Sequence, residues 1–158
     1  MRSRRDILLV AGLMTCLYAT GCGSTVPGGS WPDPVEVTGK VTYNGKPFAN
    51  GTVIFIPDEK TAGQGGSAQT DETGEYTMQT RWSDQKMKDG LIPGRYKVAF
   101  SRYTKPDGTV WVATPDSTEG PASSGAREEL PLHLSSPGES KYVVEVNKGK
   151  GAYDFDVL

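Results

Sequence analysis

His133 is the one imidazole of the chain, and Cys16 and Cys22 are its two thiols. A zinc site takes three or four ligands of these kinds. The set is too small for a structural or catalytic metal centre, and no cofactor is expected. Serine hydrolysis needs a base oriented beside the nucleophile, and no Gly-x-Ser-x-Gly elbow occurs. His133 is therefore expected in a loop or at an edge, with no catalytic residue assigned. Asp154 and Asp156 are the remaining pair with reactive potential. On a strand they would share one face roughly 7 Å apart, within the range used by glycosidase carboxylates, although a solvated outer face shows the same spacing. Trp82, Tyr103 and Trp111 lie in or beside connections, where flat rings stack on sugars or on partner side chains. They are the candidate ligand-binding residues. The competing reading has them cap the ends of the core.

Two other patterns dissolve on inspection. Gly39 to Lys46 superficially suggests a phosphate loop, but the glycine spacing is one residue too long and Pro47 stands where a metal-binding hydroxyl belongs. Asp71-Glu72-Thr73-Gly74 lacks the alternating acidic ligands of a calcium loop and is better explained as a turn.

Cys22 has a different chemistry in view. Arg2, Arg4 and Arg5 are followed by the mostly apolar run Ile7 to Ala19 and then by Ala19-Thr20-Gly21-Cys22. This is the order of a signal peptide. The apolar run falls short of the roughly 20 residues that cross a bilayer core. Its ending resembles a lipobox, which would make Cys22 the site of lipid attachment and the first residue after cleavage. Ala19 departs from that motif, which usually has Leu there. Ser3-Arg4-Arg5-Asp6 also resembles a twin-arginine export signal, but an ordinary basic start explains it as well. Residues 1–21 are thus expected to be a signal peptide. Residues 22–34, rich in Gly, Pro and Ser, are expected to form a lipidated, flexible tether with a reach of roughly 20 Å.

Charge narrows the partners. Three of the 17 basic and one of the 19 acidic residues precede Cys22, leaving 14 against 18. That balance lacks the basic excess that neutralises phosphates, so nucleic acid is not expected as a partner. It also supplies no polybasic membrane patch. Membrane association is expected through the N-terminal lipid instead.

The elements that must position these residues are strands. The chain has 20 Gly and 11 Pro, and its Val, Thr and Tyr favour strands and turns over helices. Val35, Val37, Val41 and Tyr43 alternate with polar residues up to the Asn44-Gly45 turn. Thr52 to Ile56 is a continuous apolar run, expected as a central strand covered on both faces. Ser67–Thr70 and Glu75–Gln79 flank the Asp71–Gly74 turn, with Tyr76 and Met78 facing inward. Tyr96, Val98 and Phe100 alternate, as do Tyr142, Val144 and Val146, and Tyr153, Phe155 and Val157 close the chain. About seven strands result. A short helical turn is expected over residues 84–91. The stretch 104–137 is longer than ordinary connections, holds one potential strand at residues 110–113, and is either functional or floppy.

Three segments now line up: Val37-Thr38-Gly39-Lys40-Val41-Thr42-Tyr43-Asn44-Gly45-Lys46-Pro47, then Thr70-Asp71-Glu72-Thr73-Gly74-Glu75-Tyr76, then Pro93-Gly94-Arg95-Tyr96-Lys97-Val98. In this order they resemble carboxypeptidase regulatory-like domains. The resemblance covers most of residues 35–158. It implies an all-β, single seven-stranded Greek-key β-sandwich of transthyretin (prealbumin) type, common in small bacterial lipoproteins and lacking the peptidase zinc site. The departure is the long loop 104–137.

The expectation is an exported, lipid-anchored, non-enzymatic module at the periplasmic or outer surface of the cell envelope, binding or structural in role. An envelope protein or polysaccharide is the expected class of partner. The alternatives are a carbohydrate-binding module working through Trp82 and Trp111, or an envelope polysaccharide hydrolase using Asp154 and Asp156.

Overall fold

The computed structural model describes residues 31–58, 60–82, 86–114 and 118–158. Cys22, the expected signal segment 1–21 and most of the expected tether lie outside the described residues.

The fold is all-β, with a four-residue helix as its one described helical element. Strand β1 (Val37–Tyr43) buries Val37 and Val41, half-buries Thr38 and Gly39 and exposes Lys40. Asn44 and Gly45 take φ of 51° and 72°, the left-handed pair that a two-residue hairpin demands. This turn returns the chain as β2 (Lys46–Pro47) against Tyr43 and Thr42. The expected hairpin is present.

The next strands build a second sheet. β3 (Thr52–Pro57) and β4 (Gly66–Gln69) pair antiparallel, Val53 opposite Ala68 and Phe55 opposite Gly66. After the Asp71 turn come β5 (Glu75–Thr77) and β6 (Gln79–Arg81), separated only by Met78. β5 pairs with β1, whereas β6 pairs with β4. Residues 75–81 therefore pass from one sheet to the other, with the fully buried Met78 as the corner. Next, β7 (Met87–Asp89) extends the sheet beyond β6. The helical turn expected over 84–91 is thus replaced at residues 87–89 by an edge strand, since ladder bonds to β6 satisfy backbone groups that a lone helical turn would leave to water.

β8 (Gly94–Ser101) is the longest strand and lies between β3 and β11 (Tyr142–Val146). The intervening chain contributes β9 (Tyr103–Thr104), β10 (Arg127–Glu128) and the helix α1 (Leu132–Ser135). The second sheet thus runs β11-β8-β3-β4-β6-β7. β12 (Gly151–Ala152) and β13 (Phe155–Val157) finish the first sheet, lying parallel to β1 with Val37 opposite Gly151 and Val41 opposite Phe155.

Gly39 makes this parallel approach feasible. A Cβ there would sit 1.9 Å from the Tyr153 carbonyl oxygen, a distance no side chain tolerates. Opposite Lys40 the ladder is completed by a side chain, since the Asp154 carboxylate accepts the Lys40 N–H at 2.8 Å.

Both sheets feed one apolar core. Val37, Val41, Tyr76, Phe155 and Val157 come from the first, and Val53, Phe55, Tyr96, Val98 and Phe100 from the second. Phe155 meets Phe100 at 5.3 Å and Phe55 at 6.1 Å between ring centres, both edge-on, the arrangement aromatic quadrupoles favour. Each such side chain contributes about 1.5–3 kcal/mol on leaving water.

β3 is central in its sheet, as its apolar run implies, but it is not covered on both faces. Ile54 and Ile56 on the outer side are half-buried. The outer face of the second sheet is instead partly overhung by the chain that follows β8.

Candidate functional site

The overhang is a hairpin spelled Tyr103 to Trp111. Lys105 N–H donates to the Thr109 carbonyl at 2.8 Å, and Trp111 N–H donates to Tyr103 at 2.7 Å. Pro106 and Asp107 occupy the tip, and Gly108 takes φ of 85°. Asp107 Oδ1 accepts both the Thr109 N–H at 2.9 Å and its hydroxyl at 2.6 Å. The Thr109 hydroxyl, then the Thr109 N–H, hold this carboxyl below its ordinary pKa against a small desolvation effect. The potential strand at 110–113 reduces to a single bridge between Val110 and Thr104. The hairpin places Tyr103 and Trp111 side by side, ring centres 6.5 Å apart and nearly perpendicular.

Its root is fastened by two glutamates from the far side of the long loop. Glu128 accepts the Ser101 hydroxyl at 2.5 Å and the Arg102 N–H at 3.0 Å. Glu129 accepts Arg102 Nε at 2.8 Å, Arg102 Nη2 at 2.5 Å and the Thr104 hydroxyl at 2.9 Å. The Arg102 guanidinium also lies over the Phe48 ring at 4.6 Å, so its charge rests on the end of the core. The hydrogen bonds from Arg102 hold the Glu129 carboxyl below its usual range. Partial burial opposes this, while the Thr104 hydroxyl and the charge of Arg102 add to it. The stretch 104–137 is therefore tied at both ends: Leu130 and Leu134, which follow the glutamates, are buried in the core.

Between the hairpin and the sheet lies a groove of about 350 Å³. Alternation along each strand decides its floor. The residues whose neighbours are buried point out, which brings up Thr52 of β3, Ser67 and Gln69 of β4 and Gln79 of β6. Tyr103 and Trp111 form the wall. The charged side chain at the groove is Arg102, already paired with Glu129. Gln69 and Thr77 also line a neighbouring depression of about 510 Å³ that carries Asp71, Glu75 and Asp154. Ser67 and Met87 are shared with a third, around Ile54, Ile56 and Arg81. The three form a track over the outer surface, continuous because residues 75–81 turn the corner from sheet to sheet.

Of the three sequence-selected aromatics, two converge here and one does not. Trp82 stacks edge-on against Trp31 at 5.9 Å, and the Lys88 ammonium sits 3.8 Å over its ring. Trp31 belongs to the segment read as tether, so the tether's last residues lie on the domain there, with Asp33 3.8 Å from Lys88. His133 is exposed on α1. Asp154 is engaged with the Lys40 backbone, and Asp156 accepts the Thr42 hydroxyl at 2.8 Å. Both carboxylates thus brace the parallel strand pair. Among the described residues no cluster of His, Cys, Asp or Glu is suited to a metal ion, and no helix is long and apolar enough to cross a membrane.

The floor glutamines were legible in principle, because the same alternation that places Ala68 and Thr80 inside places Gln69 and Gln79 outside. The pairing of Arg102 with Glu129 had no sequence signal, since 27 residues separate them.

No family model matches the chain, and no curated protein matches it. Among solved structures it is similar to a DUF3823 family protein from Parabacteroides merdae, with 14% identity and a TM-score of 0.36 over 78% of this chain. It is also similar to a 9R-lipoxygenase from Cyanothece, with 17% identity and a TM-score of 0.33 over 79%. The chain spans 45% of the first and 16% of the second. Both scores lie below the range that marks a shared fold.

Proposed function

We propose that the chain is an exported, lipid-anchored, non-catalytic binding module at the cell envelope, with the groove under the Tyr103–Trp111 hairpin as its working surface. The observation that carries this reading is the hairpin itself. Two aromatic rings are held over a polar sheet face by four side-chain contacts to Glu128 and Glu129, made by Ser101, Arg102 and Thr104. A loop that served only as a connection would not need such fastening.

The fold reading goes with it. With β6, β7 and the two-residue strands set aside, the second sheet reads β4-β3-β8-β11 and the first β5-β1-β13. That order supports a seven-stranded Greek-key sandwich of transthyretin type, and with it the carboxypeptidase regulatory-like resemblance.

The geometry also gives the module a direction. Val35 enters at the Leu91 end, where β8 begins, and the hairpin leaves from the opposite end of β8. Eight residues at about 3.3 Å each put some 26 Å between them. The segment that leads to Cys22 thus joins the domain at the end opposite the hairpin. The test of the anchor is mass spectrometry of the protein purified from membranes. It should show a diacylglyceryl adduct at Cys22 that disappears, together with membrane association, in Cys22→Ala. An unmodified chain beginning elsewhere refutes the anchor.

A further inference from the structure

We propose that the groove takes an uncharged polysaccharide chain, a ligand class that rests on the reading of the groove as the binding surface. Three features of the surface select this occupant.

The first is the pairing of ring faces with neutral polar groups. Tyr103 and Trp111 offer flat apolar area on one side, and Gln69, Gln79, Thr52 and Ser67 offer amides and hydroxyls on the other. A sugar ring has the complementary halves: C–H faces that lie on aromatic rings and hydroxyls at its rim that both donate and accept. Amide side chains suit such groups because each carries donor and acceptor on one end.

The second is charge. Arg102 is committed to Glu129, so it offers no free cation to a phosphate, sulfate or carboxylate. The neighbouring depression carries Asp71, Glu75 and Asp154 against Lys40, the third carries Arg81, and Asp89 accepts from Gln79 at 3.0 Å. Carboxylates outnumber cations along the track, so an anionic polymer laid on it would be repelled on balance.

The third is the state of the backbone. An extended peptide commonly binds by adding itself to an open sheet edge, drawing its affinity from main-chain hydrogen bonds. The groove floor is the face of β3, β4 and β6, whose main-chain groups are spent in their own ladders. Recognition there is by side chains. The continuity of the three depressions, joined through Gln69 and Thr77 on one side and Ser67 and Met87 on the other, fits a chain of several rings better than a single sugar.

The test uses the full-length protein in detergent, carrying Trp31→Phe and Trp82→Phe so that Trp111 alone reports. It is titrated with dextran, mixed-linkage β-glucan, xyloglucan and galactomannan, with polygalacturonate as the polyanion and a mixed-sequence peptide pool as the non-glycan probe. The expected result is a saturable change in Trp111 fluorescence with at least one neutral polymer, weakened about tenfold by Gln69→Ala, the loss that roughly 1.4 kcal/mol represents. No response to any neutral polymer overturns the proposal, as does equal binding of polygalacturonate or a response unmoved by Gln69→Ala. A peptide response that Gln69→Ala abolishes would overturn the glycan while leaving the groove as the binding surface. Silence to every probe, with retardation in glycan gels unchanged by Trp111→Ala, would overturn both. Melting temperatures equal to the parent's establish that each variant is folded.

Discussion

Arg102 grips Glu129 with two prongs, Nε at 2.8 Å from one carboxylate oxygen and Nη2 at 2.5 Å from the other, while its flat face covers Phe48. One side chain thereby joins the long loop, the aromatic hairpin and the end of the core. A planar fork does this, and a point charge does not.

Arg102→Lys should consequently keep the charge and lose the grip. Amide exchange at Trp111 and Glu129 is expected to speed up about tenfold, corresponding to roughly 1–2 kcal/mol less for local opening. Exchange in β3 and β8 should stay at the global rate. Uniform acceleration across the domain would show that the pair holds the whole fold and not the hairpin.

The same carboxylate makes the hairpin sensitive to acid. Glu129 has a folded-state pKa below its unfolded value, so its contribution is complete above the unfolded pKa, near 4.3, and declines as the pH falls through the folded value. Loosening of the hairpin should thus begin below about pH 4, read as Trp111 fluorescence in the Trp31→Phe, Trp82→Phe background. Glu129→Gln, which cannot titrate, should remove most of the pH dependence, leaving the share of Asp107 at the hairpin tip. A midpoint unaltered by that substitution would assign the transition to another group.

Alkali should act on the core. Burial pushes the Tyr96 hydroxyl up to about 12, and burial followed by the charge of Asp154 and the nearby Tyr153 pushes Tyr76 higher still. Both phenols stay protonated in the fold, where Tyr96 donates to Ile92 and Tyr76 to Tyr153, each at 2.6 Å. A raised pKa stabilises below the unfolded value of 10.0, and that stability is lost as the pH rises from there towards the folded values. Chemical denaturation midpoints should hold to pH 10 and fall steeply between 10 and 12. Tyr76→Phe should cost about 1 kcal/mol at neutral pH and flatten part of that fall.

Two substitutions separate close backbone approach from core volume. Gly39→Ala places a methyl against the Tyr153 carbonyl and should lower stability by several kcal/mol, comparable to the roughly 3–5 kcal/mol expected for Phe55→Ala. Gly120→Ala, with nothing within 4 Å, should stay within about 0.5 kcal/mol. Urea midpoints decide the matter, and a tolerated Gly39→Ala would mean that β1 and the 151–157 segment are not held together as described.

Alternation made the core strands readable. Val53, Phe55, Tyr76, Met78, Tyr96, Val98 and Phe100 are all buried, since a period of two leaves few choices about which face meets the core. The Asn44-Gly45 hairpin was equally plain, because few residues accept its backbone. Residues 84–91 misled because the five polar or charged residues around Met87 carry no period, and an edge strand needs none when its neighbour supplies the ladder. The candidate site was half legible. Tyr103 and Trp111 stood out as aromatics in a connection, but their convergence depends on the Pro106–Gly108 tip, and Trp82, selected on the same grounds, packs on Trp31 instead. The anchoring glutamates were invisible, because an ion pair across a long loop has no spacing rule.

The strand that opens the domain leans on the one that closes it. β1 lies directly beside β13, more than a hundred residues later in the chain, so its outer flank stays bare until residues 155–157 have been made. Contacts of such long span charge their loop-closure entropy before returning any stability, and they slow folding. A polypeptide built this way stays unfinished through most of its synthesis. Until residues 155–157 emerge, the apolar side chains of that first strand have no neighbour on that flank to cover them.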